Sequence, residues 1–223
     1  MPNPVVELVA KALTRFRKFH QDNPEFFPEQ QNLYPIPFFG DIRDATVLTL
    51  ALNPALTEFR RSRHWLPGLD SCTLTTRLLH YFDLPAPPPH RWFRDRSEAL
   101  ALLDSSYETN TAHIDLHPLP IKFRPDLIEA QRRSIGHLIE TRSQPHLANL
   151  LKLAKHAKLL LVVDYTFSKS NGTTAKTSDF ILAHQPIAEG NQLRVFMAGG
   201  TNEFKQRIAE HRDALCRRLR RAS

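Results

Sequence analysis

A chain of 223 residues, 41% hydrophobic and 24% charged, can bury one sizeable core, which excludes a disordered chain and does not demand two domains. No apolar run reaches the about 20 residues that cross a membrane. The opening Met1-Pro2-Asn3-Pro4 has no basic-then-apolar leader, and Cys72 and Cys216 lack metal or redox spacing, so a cytoplasmic protein away from membranes is expected. The net charge of +7 favours an anionic partner, nucleic acid first. The alternative is a solvated helix face, because much of the excess lies in Arg217, Arg218, Arg220 and Arg221.

Asn3 is placed to cap a first helix with Pro4 in its first turn, and Val6, Val9, Leu13 and Phe16 recur at helical spacing. The pattern fails near Asp22-Asn23-Pro24. The aromatic, proline-rich stretch from Phe26 to Phe39 is too apolar for a free linker and is expected to pack on the body. Gly40-Asp41 leads toward Val47–Leu52, a short run suited to a strand buried on both faces. Asn53-Pro54 ends that run. It is either a plain turn or a carboxamide delivered to the carboxyl end of a buried strand, where open α/β sheets bind ligands.

A loop with Phe59, Arg60, Arg61, Arg63, His64 and Trp65 follows. Arginines interleaved with aromatics suit base stacking and phosphate contacts, or a surface loop with Trp65 folded onto the core. Thr73–Phe82 reads as a helix ended by Pro85-Ala86-Pro87-Pro88-Pro89, and Ser97 as the cap of another helix through Leu103. Thr111–Leu116 reads as a second strand. Pro125-Asp126 starts a helix with Leu127, Gln131, Ile135, Leu138 and Ile139 on one side, and a further helix carries Leu147, Leu150, Leu151 and Ala154. Lys158–Val163 is a third strand, Tyr165–Ser178 a mobile loop, Ser178-Asp179 the cap of a short helix through His184, and Leu193–Ala198 a fourth strand. Gly199-Gly200-Thr201-Asn202 opens a final helix with Phe204, Ile208, Leu215 and Leu219 inward.

Strands separated by helices predict parallel crossovers: one three-layer α/β/α domain over 1–223 with a central, mainly parallel four-stranded sheet. Residues 1–40 form its N-terminal helix and packed segment, and 41–223 its core. Three groups could carry chemistry. The first is Asn53 with its loop. The second is Gly199–Asn202, whose bared N–H groups suit a phosphate or merely make a tight turn. The third is His113-x-Asp115-x-His117, whose alternate residues could meet on a metal. Asp115 lining the cleft beside Asn53 is the competing reading, and no metal or other cofactor is expected. The sequence has no Gly-x-Ser-x-Gly elbow, no phosphate-binding lysine loop and no Gly-x-Gly-x-x-Gly fingerprint, which demotes the enzymes built on them.

Phe38-Phe39-Gly40-Asp41 followed by Ala45-Thr46-Val47-Leu48-Thr49-Leu50-Ala51-Leu52-Asn53-Pro54 resembles the opening of the uracil-DNA glycosylase superfamily. Trp65-Leu66-Pro67-Gly68 to Arg77-Leu78-Leu79 resembles its mismatch-specific and thymine-type branches. The resemblance implies that Asn53 holds or activates the attacking water and that backbone groups of Asn53, Pro54 and Ala55 read the base edge. It also implies that Trp65 stacks on the flipped base and that Gly199, Gly200, Thr201 and Asn202 grip the DNA backbone. Asp41, Phe59 and Asp115 join the expected substrate-binding residues. Ala51 stands where the family usually has Gly, and the second motif lacks its His-Pro start. A monomeric glycosylase acting on uracil or another damaged base in DNA is expected. The alternatives are a non-catalytic nucleic-acid- or nucleotide-binding protein on the same fold and a metal-dependent hydrolase using His113, Asp115 and His117.

Overall fold

The computed structural model describes residues 3–24, 33–54, 68–83, 89–120, 129–184 and 193–220. Strand β2 (Val47–Ala51) is buried at every position and lies at the middle of a five-stranded sheet. It pairs in parallel with β3 (Thr111–Asp115) on one side and β4 (Leu159–Val162) on the other, and β7 (Arg194–Met197) continues in parallel beyond β4. The near-continuous apolar runs of β2 and β4 suit strands covered on both faces. The fifth strand, β1 (Phe38–Phe39), pairs antiparallel with the outer side of β3 and was not expected. It is two residues long because Pro37 precedes it and Gly40 turns the chain away at φ 84°. A Cβ at Gly40 would meet the Phe82 ring at 3.0 Å.

Helix α1 (Pro4–Asp22) begins as expected, with Asn3 Oδ1 accepting from Val5 N at 3.0 Å. Its inward row is Val5, Val9, Ala12, Leu13 and Phe16; Val5, not Val6, takes the first buried place. Residues 33–40 are buried, so that part of the proline-aromatic stretch packs on the body. Helix α2 (Ser71–Leu79) is capped by Asp70, whose Oδ1 accepts from Thr73 N at 2.7 Å, and a 3₁₀ turn at Tyr81–Asp83 follows.

Helix α3 (Arg91–Ala101) starts at His90. Ser97 therefore lies inside it, its hydroxyl donating to the Phe93 carbonyl at 3.1 Å, and does not cap it. Helix α4 (Glu129–Leu153) is one helix where two were expected. It passes through Pro145 because that residue faces solvent, while Ile135, Ile139, Leu147, Leu150 and Leu151 bury both halves in the same core. The expected start at Pro125-Asp126 lies outside the described residues.

The segment read as a mobile loop is an antiparallel hairpin, β5 (Thr166–Ser168) with β6 (Thr174–Lys176). Phe167 opposite Ala175 anchors it to the core, and Ser170 N donates to Glu140 on α4 at 3.2 Å. Helix α5 (Thr177–Ala183) follows, where Asp179 accepts from Lys176 N at 2.8 Å, and α6 (Phe204–Arg220) closes the described chain.

Register sorts the sheet into two faces. Thr49, His113, Leu161 and Phe196 stand in one row, and Leu48, Ala112, Leu160 and Val195 in the other. Trp92 and Phe93 of α3 meet the His113 ring at 4.5 and 5.3 Å, and His211 of α6 meets Phe196 at 5.2 Å, so α3 and α6 cover the first face. β3 and β4 flank β2 on opposite sides. Right-handed crossovers to them must lie on opposite faces, which puts α4 on the second face. The result is a mixed α/β fold with a mostly parallel central sheet, compatible with three layers. Among the described residues no helix is long and apolar enough to cross a membrane.

Candidate functional site

The crossovers leaving β2 and β4 diverge to opposite faces, so the crevice beyond their carboxyl ends is the switch point of the sheet, where open α/β folds bind ligands. Asn53 stands there. The β2–β3 pairing runs on through Leu116 N to Ala51 O and His117 N to Leu52 O, both 2.9 Å, and stops at the buried Pro54. The half-buried Asn53 donates from Nδ2 to the carbonyls of Pro54 (3.2 Å) and Leu119 (3.4 Å). Two acceptors fix which end of the carboxamide carries the NH2, and turn Oδ1 away from them.

Below Asn53, on the α3 face, lies a buried polar chain. Tyr107 OH meets Thr49 Oγ1 at 3.1 Å, Thr49 Oγ1 meets His113 Nδ1 at 2.9 Å, and His113 Nε2 meets Asp115 Oδ1 at 3.3 Å. Adjacent strands in register bring Thr49 beside His113 and Ala51 beside Asp115. Asp115 is 1% exposed and its Oδ2 has no partner among the described residues. Burial raises its carboxyl pKa, against the pull of His113. Burial likewise pushes the Tyr107 phenol up.

A second polar group joins the first through the Trp92–His113 contact. Trp92 Nε1 donates to Tyr165 OH at 2.7 Å, Tyr165 OH meets Thr201 Oγ1 at 3.3 Å, and Arg96 Nη2 donates to the same Thr201 oxygen at 3.2 Å. Arg96 is 1% exposed, with its guanidinium 3.7 Å above the Trp92 ring. Burial is the main cause lowering its pKa. Tyr165 follows β4 and Thr201 follows β7, so this cluster also stands at the carboxyl ends of the strands.

The structure brings together Asn53, Pro54, Asp115 and Thr201 along that edge. Gly199 has φ 72° and Gly200 N donates to Glu203 Oε2 at 3.2 Å, so the chain's own carboxylate occupies this turn. Asn202 is exposed. Asp41 is not near Asn53: it lies at the amino edge of the sheet, where its Oδ1 accepts from Arg43 N at 3.0 Å and Nε at 2.8 Å. Ala55, Phe59 and Trp65 lie outside the described residues.

The alternative reading, in which His113, Asp115 and His117 meet on a metal, is not what the strand does. β3 ends at Asp115, and alternation ends with it. His117 instead borders the α1–α4 cleft with His146, while His113 packs under α3. Among the described residues no three His, Cys, Asp or Glu side chains are grouped to hold a metal.

Sequence reasoning missed Tyr107, Trp92, Arg96 and the role of Tyr165. A signal for Arg96 was present: it falls with Phe93 and Leu100 on the inward side of α3, four residues after Trp92. Comparison of the chain with protein-family models and with curated proteins finds no match.

Proposed function

We propose that the protein hydrolyses the N-glycosidic bond of uracil or another damaged base in DNA. The observation that carries this reading is the Asn53 carboxamide, half-buried at the switch point and oriented by two main-chain acceptors. Glycosidic cleavage develops positive charge on the sugar and negative charge on the departing base, so it needs an oriented water and donors for the anion. Asn53 Oδ1 accepts from the water in this scheme and main-chain groups at its strand end meet the base. The base must leave the stack, which costs a few kcal/mol. The net charge of +7 favours the polyanion.

A second reading is binding of nucleic acid without cleavage. Glu203 favours it over excision, because its carboxylate fills the glycine turn that would grip the phosphate of an extruded nucleotide, which leaves the chain's basic surface elsewhere to hold the polyanion. End-labelled oligonucleotides carrying uracil, single- and double-stranded, separate the two. Alkali-labile breaks at uracil, with and without chelator, support hydrolysis. Salt-sensitive retention with no breaks supports binding alone, and neither result removes both.

A further inference from the structure

On the far side of the sheet from the Trp92 cluster, α1 and α4 enclose a cavity of about 530 Å³, within the range of small-molecule sites. Its rim is basic: among the described residues Lys11, Arg15 and Lys18 on α1 face Arg142 and Lys152 on α4, against Glu7 and Asp22. Part of its wall is apolar, from Leu8, Phe19, Leu138 and Leu153. His117 and His146 lie at its buried end.

His117 is satisfied, since its Nδ1 accepts from Leu119 N at 3.3 Å. His146 is not. It is 7% exposed, and its buried Nε2 has no partner among the described residues. An orphaned buried nitrogen costs stability unless something else meets it. A site with a charged rim, an apolar wall and one unmet polar atom at its end selects a ligand with all three complements.

We propose that this cleft binds an organic anion: an acidic head held by Lys11, Arg15 and Arg142, an apolar or aromatic body along Leu8 and Leu153, and a polar atom reaching His146 Nε2. The site does not depend on the base-excision reading, because none of these residues lies in the Asn53 crevice.

The probe is 8-anilinonaphthalene-1-sulfonate, titrated into the folded 223-residue chain with its fluorescence followed. Saturable binding of one equivalent is expected. Lys11→Glu with Arg15→Glu should weaken it at least about tenfold, as expected for loss of two charge-assisted contacts. Both residues are exposed, so the variant is expected to fold, and circular dichroism checks this. Arg217→Glu, at the end of α6 and away from the cleft, should leave binding unchanged. His146→Leu should lower the affinity of polar-substituted probes more than that of the unsubstituted one. Binding that is unsaturable, or unaffected by the double reversal, overturns the proposal. So does displacement by a short single-stranded oligonucleotide at lower concentration than any small anion, which would assign the cleft to nucleic acid. Base release, assayed in the same variants, reports separately on the Asn53 reading.

Discussion

The Asn53 carboxamide donates to the Leu119 carbonyl across 3.4 Å, tying the end of β2 to the segment that follows β3. Leu119 also borders the α1–α4 cleft and gives its own N–H to His117. Residues 117–119 therefore separate two concave regions: the crevice with Asn53 and the basic cleft with His146.

If Asn53 orients the water, Asn53→Ala should cut base release about 100- to 1,000-fold, the usual loss for one oriented polar group at a reacting centre. Oligonucleotide affinity should stay within about twofold, because the group acts in the transition state. Alkali cleavage and filter binding measure the two. Unchanged release would remove Asn53 from the chemistry.

Acid should destabilise the protein through its buried histidines. Burial pushes His117 down to about 4 and His146 to about 3, the latter helped by His117 and Arg15. Their unfolded-state pKa is about 6.5, so the unfolded chain binds more protons below that pH. Stability is then full above about pH 6.5 and falls toward pH 4, by up to about 1.4 kcal/mol per pH unit for each histidine. Asp115, with its pKa raised, works in the opposite sense as pH falls through its folded value. Urea midpoints at pH 7 and pH 5 should diverge in the natural chain and diverge less in His146→Gln. Equal divergence in both would show that His146 is not buried neutral.

Tyr165→Phe removes the oxygen shared by Trp92 Nε1 and Thr201. It should cost about 1–2 kcal/mol, since the indole N–H loses its partner in a partly buried place. Urea unfolding monitored by circular dichroism gives the value. A change below about 0.3 kcal/mol would mean that water replaces the phenol at no cost.

The glycine turn before α6 gives a test of both functional readings. Glu203→Gln removes the charge that Gly200 N now meets, and should tighten oligonucleotide binding while steepening its salt dependence. Gly199→Ala should cost about 1–3 kcal/mol through its positive φ and the collision of its Cβ with Glu203. Affinity unmoved by Glu203→Gln would take this turn out of nucleic-acid binding.

Much of this architecture was legible along the chain. The four expected strands became the four parallel strands, and Asn3-Pro4 started α1, because strand patterning and helix capping are local. Asn53-Pro54 could be placed at a strand end for the same reason. The length of α4 was not legible: a proline normally stops a helix, and only the shared core on both sides of Pro145 carries the helix through it. The β5–β6 hairpin was hidden in a polar composition, and the burial of Phe167 and Ala175 alone reveals it.

The candidate site divides along the same line. By itself the sequence determined that Asn53-Pro54 ends a strand, that Asn3 caps α1, and that the chain alternates strand and helix, since each depends on neighbours a few positions away. Only the tertiary structure decided that His113 and Asp115 join Thr49 and Tyr107 while His117 turns to His146, and that Arg96 is buried on Trp92 beside Thr201. Those partners are separated by 64 residues for Thr49 and His113 and by 105 for Arg96 and Thr201. Sheet register and the hand of the crossovers bring them together, and no local spacing encodes either.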